Sequence, residues 1–493
     1  MSATSAVSID AISSSPNKSP SSSKSEEKTL EQVHNSQNSS HDVEAAHGPE
    51  DNVLTIVPPA DGGKGAWMFL AGCFVFEALV WGFPFSFGVF QSYYTTHPPF
   101  SFQSNGIAAI GTCSSGIMYL IAPITLYALE SWPSTRRLSS IIGLVIAVTA
   151  LIASSFATRV WHLILTQGIL YAIGGSLLYA PTMFYLDEWF IRRKGLVFGI
   201  MWGGVGTSGL IFPFLLNYLL THLGYHTTLR IWALILLCLC MPLIHYVKPR
   251  LPPPSVPAPR KPISYSFIFT RSHLFLQASN ILESLGFFIP AIYIPSYTTS
   301  LNLPPYTGTL VLSLLNLFSV LGAIFLGHLC DRLHVVTVIL ISTLGSTLSI
   351  FLFWGFGTKL PLLTCFVTAY GFFAGGYSAI WTGMMNEVRR DGERGRNAGM
   401  GQLMGVFAAG RGVGAVLSGP VSEVLLSLRK DEKLKGGGWG YGTEYGVLIV
   451  FTGVSAFCGV FALGARKWGK EVGTREAKGR ENSGGVGSDV LDR

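Results

Sequence analysis

The sequence predicts an all-α integral membrane protein with twelve transmembrane helices in two pseudo-symmetric six-helix bundles. Three observations predict it. First, only 12% of the 493 residues are charged, against roughly a quarter in soluble domains, and the mean hydropathy is +0.43. Second, the chain holds a succession of apolar segments, each long enough for a helix to cross about 30 Å of hydrocarbon. Third, features of the first half return in the same order about 200 residues later, as expected of a chain built from two related halves.

Residues 1–60 are rich in Ser, Asn, Glu, His and Lys and nearly free of aromatics. Such a stretch cannot bury enough apolar surface to order itself. A disordered cytoplasmic tail is expected, with serine phosphorylation as the sharper alternative. No apolar core lies near its start, so a cleaved signal peptide is not expected. The apolar segments follow near 66–91, 105–129, 138–157, 161–185, 195–220, 229–247, 274–298, 306–329, 334–355, 360–383, 398–427 and 444–465. The longest interruption, 248–273, is proline-rich and carries Lys248, Arg250, Arg260, Lys261 and Arg271. It is the expected cytoplasmic hinge between a first bundle at 61–247 and a second at 274–465, with a cytoplasmic C-terminal tail at 466–493.

The repeat is clearest around two charged hinges. Tyr185–Pro213 passes from one apolar arm through Asp187, Glu188, Arg192, Arg193 and Lys194 into a second arm packed with glycine. Asn386–Pro420 repeats the plan with Glu387, Arg389 and Arg390. A further echo sets Glu77 seven residues before Pro84 and Glu283 seven before Pro290. If the N-terminal tail is cytoplasmic, the inside loops hold about twice the Lys and Arg of the outside loops, so both termini are placed inside. Loop 429–435, with Arg429, Lys430, Lys433 and Lys435, is the exception. A plasma-membrane location is expected, with the vacuolar membrane as the alternative.

The basic balance of +7 reflects this topology rather than nucleic-acid binding. The seven cysteines fall mostly in apolar runs and read as small buried hydrophobes, not as metal ligands or disulfides. No HExxH, Gly-x-Ser-x-Gly or P-loop is present, so neither an enzyme nor an ATP-driven pump is expected, and no cofactor.

Twelve segments in two sets of six resemble the major facilitator superfamily. Gly327-His-Leu-Cys-Asp331-Arg332 looks like its cytoplasmic-loop motif, and Tyr127-Ala-Leu-Glu130 through Arg136-Arg137 is a degenerate counterpart. Within it, Asp61-Gly-Gly-Lys-Gly-Ala-Trp67, Trp81-Gly-Phe-Pro84 with its continuation to Gln91, and Trp189-Phe-Ile-Arg192-Arg-Lys-Gly-Leu196 resemble the monocarboxylate transporter family, especially its fungal branch. Two cationic contacts of animal members are missing: Phe85 stands where they carry a first-helix lysine, and Ala323 where they carry an eighth-helix arginine. A carboxylate at mid-membrane needs a compensating cation. The resemblance implies a proton-coupled secondary transporter of a small organic molecule, by family default a monocarboxylate. The lost cations and the aromatic first helix fit export of a bulkier lipophilic metabolite. A nutrient sensor on the same fold is the alternative from another class. The expected partners are the substrate, protons and the bilayer, with no obligate protein partner.

Ionisable groups inside a span cost roughly 2.5–3.5 kcal/mol on insertion scales and by default have a task. Glu77 and Glu283, on helices that line the central cavity in this superfamily, are candidates for loading and releasing a proton. Arg411, deep in the eleventh segment, either holds a substrate anion or neutralises a buried glutamate. Phe85, Gln277 and Asn316 complete the cavity candidates. Asp187, Glu188, Arg192, Arg193, Asp331, Arg332, Glu387 and Arg389 sit too near the surface to bind substrate and read as a charge latch between inward- and outward-open states. The glycines at 199, 203, 204, 206 and 209 predict close approach of the fifth helix to a neighbour and a sliding surface.

Overall fold

The computed structural model describes residues 59–103, 106–251, 265–304, 306–428 and 439–466. The tails beyond these bounds, the middle of the 248–273 segment and loop 429–435 lie outside the described residues. Among the described residues eleven helices are long and apolar enough to cross a membrane. One of them, Lys194–Tyr246, runs for 53 residues but contains Gly224 at φ 71°, where the chain turns sharply. Glycine takes that left-handed conformation without the Cβ clash other residues suffer. Dividing the helix there gives twelve spans.

In chain order they are α1 Gly63–Thr96, α2 Ile107–Ser131, α3 Arg136–Ser154, α4 Val160–Trp189, α5 (194–223), α6 (225–246), α7 Arg271–Ser300, α8 Tyr306–Cys330, α9 Val335–Trp354, α10 Leu360–Arg390, α11 Met400–Ser427 and α12 Gly446–Arg466. Each apolar segment read from the sequence falls on one of them. The differences lie at the ends. α1 continues past its apolar run to Thr96 and α10 continues to Arg390, because a helix persists into the polar layer while apolar character stops at the edge of the hydrocarbon. α1 also bends at Pro84, which has no N–H to donate. The helix pauses at Ser86 and resumes at Phe87.

The surface explains the solvent the bundle is built for. Ile124, Leu138, Val145, Leu234, Phe325, Leu352 and Val454 point outward and exposed from six different helices, a burden suited to lipid and not to water. Inside, Trp81, Trp232, Trp354 and Trp381 are fully buried.

Two long seams join the first six helices to the last six. In one, α5 lies on α8. A Cβ at Gly195 or Gly199 would collide with the carbonyl oxygens of Gly327 or Ala323, and one at Gly206 would crowd Val320 and Asn316. The Asn316 Nδ2 then donates to the Gly209 carbonyl across the seam at 3.0 Å. In the other, α2 lies on α11, where Gly401, Gly405 and Gly412 leave room for Leu126, Pro123 and Tyr119. The glycines of α5 therefore permit the expected close approach, with one exception: Gly204 faces Phe74 of α1. Ala323 is buried in this seam, not on an open wall.

Candidate functional site

The site begins with one face of α7. Gln277, Asn280 and Glu283 recur at helical spacing and all reach α11. Gln277 Nε2 donates to the Val406 carbonyl at 2.9 Å, and Asn280 Nδ2 donates to the Phe407 carbonyl at 2.8 Å. Glu283 Oε2 accepts from Arg411 Nη1 at 3.0 Å, with 6% and 2% of the two side chains exposed. Gly410 and Gly414 make this approach possible, since a Cβ at either would strike Gln277 or Ser284. The guanidinium also lies 4.1 Å over the Phe287 ring, so it is paired on its edge and covered on its face. Among the described residues Arg411 is the one buried Lys or Arg.

Glu77, at the related place on α1, is wholly buried but has no such partner. Neither carboxyl oxygen makes a hydrogen bond of normal geometry. The indole of Trp81, one turn on, is the nearest donor. Tyr119 and Tyr179 pack on the ring of Trp81, at 4.5 and 5.5 Å. On α11 Tyr119 packs against Gly412, the residue after Arg411. Tyr119 thus stands between the unpaired carboxyl of the first half and the ion pair of the second.

Around these groups four rings close a circuit. Trp81 of α1 lies 4.5 Å from Tyr119 of α2 and 6.1 Å from Trp202 of α5. Trp381 of α10 completes it, 5.8 Å from Trp202 and 6.4 Å from Tyr119. Trp381 is held from its own half, its Nε1 donating to Asn280 Oδ1 at 3.1 Å. Phe85 lies beside Trp81 and meets Phe288 at 6.5 Å. Of the cavity candidates, Glu77, Glu283, Arg411 and Phe85 gather here. Asn316 sits in the α5–α8 seam instead, and Gln277 lies along the α7–α11 contact.

The charged hinges gather at one end of the bundle, the cation-rich end. There two carboxylates cap helices of the opposite half. Asp331, at the end of α8, accepts from the N–H groups of Gly195 and Leu196 at 2.7 and 2.8 Å, at the start of α5. Glu130, near the end of α2, accepts from the Gln402 N–H at 3.2 Å, at the start of α11. Anions at helix N-termini satisfy open donors and complement the dipole. The other latch candidates behave differently. Asp187 pairs with Lys194, and both face Asn386 and Arg389 across a cleft between the halves. Glu188 pairs with Arg136 at 3.1 Å and Glu387 with His334 at 3.3 Å, each within one half. Arg192, Arg193 and Arg332 have exposed side chains and no ion pair among the described residues. The backbone N–H groups at 191–193 are instead gathered by Asp61, whose Oδ1 accepts all three at 2.9–3.3 Å.

Tyr119, Trp202 and Trp381 were not marked from the sequence, and Glu130 was marked only as part of a degenerate motif. A ring in an apolar helix carries no signal of its own, and Glu130 gains its role only from the helix end it meets. Asp61 was visible as a motif but not as a clasp.

A bundle of twelve lipid-facing helices, closed along two glycine seams and charged near its middle, defines a membrane transporter. The sequence profile of the Major Facilitator Superfamily matches residues 128–419 and 279–485. The chain belongs to that superfamily, and it is a transporter and not an enzyme. It is 26% identical over 435 residues to the MFS transporter asaE of Aspergillus flavus, covering 86% of this chain and 91% of that protein. It is 25% identical over 414 residues to the Fujikurins efflux protein of Gibberella fujikuroi, covering 83% and 84%. The Aspyridones efflux protein apdF of Emericella nidulans is 25% identical over 434 residues, covering 87% and 82%. The human organic anion transporter MFSD10 shares the fold, with TM-score 0.58 and 13% identity over 80% of this chain and 99% of that one. The superfamily resemblance thus holds, while none of these relatives is named as a monocarboxylate transporter.

Proposed function

We propose that the chain is a secondary active exporter of a bulky, weakly charged organic metabolite, working by alternating access, with the cation-rich end towards the cytoplasm. The observation that carries this reading is the closed Arg411–Glu283 pair. Arg411 is the buried cation to which a substrate carboxylate would turn, and it is already neutralised and covered. A monocarboxylate would have to break that pair or sit unpaired in low dielectric, which is very costly. The ring-lined centre favours a larger apolar body with a few polar groups. The efflux names of two relatives point the same way.

Proton coupling belongs to the same proposal, carried by Glu77. A buried carboxyl without a fixed partner is suited to exchanging a proton as the cavity opens to either side. Export by proton antiport runs faster when the outside is more acidic, because protons then enter down their gradient as substrate leaves. Glu77→Gln removes the exchangeable proton while keeping the shape. In vesicles the expected result is transport that no longer responds to an imposed pH gradient, with protein level unchanged. A variant that keeps the full response to the gradient removes Glu77 from this role.

The exporter reading is tested by comparing metabolites inside and outside cells that have or lack the protein. Accumulation of an aromatic or polyketide-like compound in the medium is expected only in cells that have it. Depletion of a small acid from the medium instead would establish an importer.

A further inference from the structure

The rings of the circuit follow one another at 4.5–6.4 Å, and three of the four come from the first half. The fourth, Trp381, crosses from α10. We propose that Trp381 occupies a slot formed by Trp81, Tyr119 and Trp202, and that a planar aromatic substrate bearing a carbonyl beside a hydroxyl takes this slot when the halves move apart. The inference rests on the exporter reading above and names its substrate class.

The slot has more than rings. The Trp202 Nε1 is buried and has no hydrogen-bond partner, and the Glu77 oxygens make no hydrogen bond of normal geometry, the Trp81 indole beside them being itself unpaired. Buried polar groups are nearly always paired, so orphans need an explanation. One open donor and one open acceptor border the same aromatic wall. A substrate carbonyl would accept from the Trp202 N–H, and a neighbouring hydroxyl would exchange its internal bond to that carbonyl for one donated to Glu77. An indole is itself a flat aromatic body, so Trp381 fills the wall while leaving these groups unused. Its bond to Asn280 ties it to the second half, so motion of the halves withdraws it. Substrate and Trp381 are then alternatives for one place, and the substrate's affinity is reduced by the fraction of time the slot is filled.

The experiment uses the full chain in nanodiscs and reads quenching of tryptophan fluorescence by two probes, 1-hydroxyanthraquinone and anthracene. Trp381→Ala empties the slot and is expected to tighten both probes about 3–10-fold. Trp381→Phe, a gentler change, is expected to tighten them less, and supplies the test if the alanine variant does not fold. Trp202→Phe keeps a ring and removes the donor. It is expected to weaken 1-hydroxyanthraquinone about 3–10-fold and leave anthracene unchanged. Unchanged or weaker binding in the Trp381 variants, or an equal loss of both probes in Trp202→Phe, overturns the slot. Transport of the same probe in vesicles separates the two claims. A probe that binds as expected but is not moved leaves the slot and removes the exporter. A metabolite exported equally by wild type, Trp381→Phe and Trp202→Phe leaves the exporter and removes the slot.

Discussion

At the scale of the residue, the account turns on two carboxylates in related places with opposite surroundings. Glu283 is paired and Glu77 is not. Breaking a buried pair by removing one partner leaves an uncompensated charge and costs about 3–5 kcal/mol, whereas replacing both partners by apolar groups is often neutral. Arg411→Leu and Glu283→Leu alone should therefore each lower the thermal stability of the purified protein sharply. The double variant should recover most of the loss. Two single variants as stable as the wild type would mean that the pair is not closed in the membrane. Both residues were legible in the sequence because a charge in an apolar run stands out. That Arg411 neutralises a buried glutamate was one of the two readings open from the sequence; that the glutamate is Glu283 was not legible, because it depends on Gly410 and Gly414 of α11 admitting α7 to close range. The ring circuit was less legible still, since its four members lie on four helices and nothing in the local pattern separates them from ordinary packing.

At the scale of the element, the helices follow from the sequence with little left over. Apolar length fixed the spans, and the turn at Gly224 kept α5 and α6 apart even though the helical trace runs through it. Gly224→Ala puts a Cβ into the left-handed region and should cost about 1–2 kcal/mol in stability. A change within error would place that residue's strain elsewhere. The seams are more informative. Gly199 and Gly327 let α5 and α8 touch backbone to backbone. Gly199→Val should reach the membrane but transport poorly, because the two helices can no longer close. Normal transport at normal surface level would show that the seam is packing alone. The sequence marked this helix as a sliding surface from its glycines, yet could not say which neighbour it meets.

At the scale of the whole molecule, the two halves are fastened at the cation-rich end by carboxylates that cap each other's helices. Asp331, at the end of α8, caps α5, and Glu130, near the end of α2, caps α11, the two places being related by the internal repeat. The sequence marked Asp331 and Glu130 within related motifs and led to the expectation of a latch at the charged hinges. It did not show that the fastening runs from side chain to helix end, leaving Arg192 and Arg193 exposed. Removing one cap should weaken closure by about 1 kcal/mol, and the double variant Asp331→Asn with Glu130→Gln should favour the form open at this end. The check is the labelling rate of a cysteine placed at Asn386, which borders the cleft between the halves, and which should rise in the double variant. An unchanged rate would mean that the caps do not hold the halves together.

The buried cation Arg411 is closed on Glu283, and the proposal of a bulky, weakly charged transported molecule rests on that closure. The most direct test is uptake into inside-out vesicles carrying the full chain under an imposed proton gradient. Labelled lactate and 1-hydroxyanthraquinone are offered in parallel, with vesicles lacking the chain as reference. The account predicts accumulation of 1-hydroxyanthraquinone above the reference and lactate at the reference level. Lactate accumulation abolished by Arg411→Leu, with no movement of the aromatic probe, would contradict it and make Arg411 the anion site.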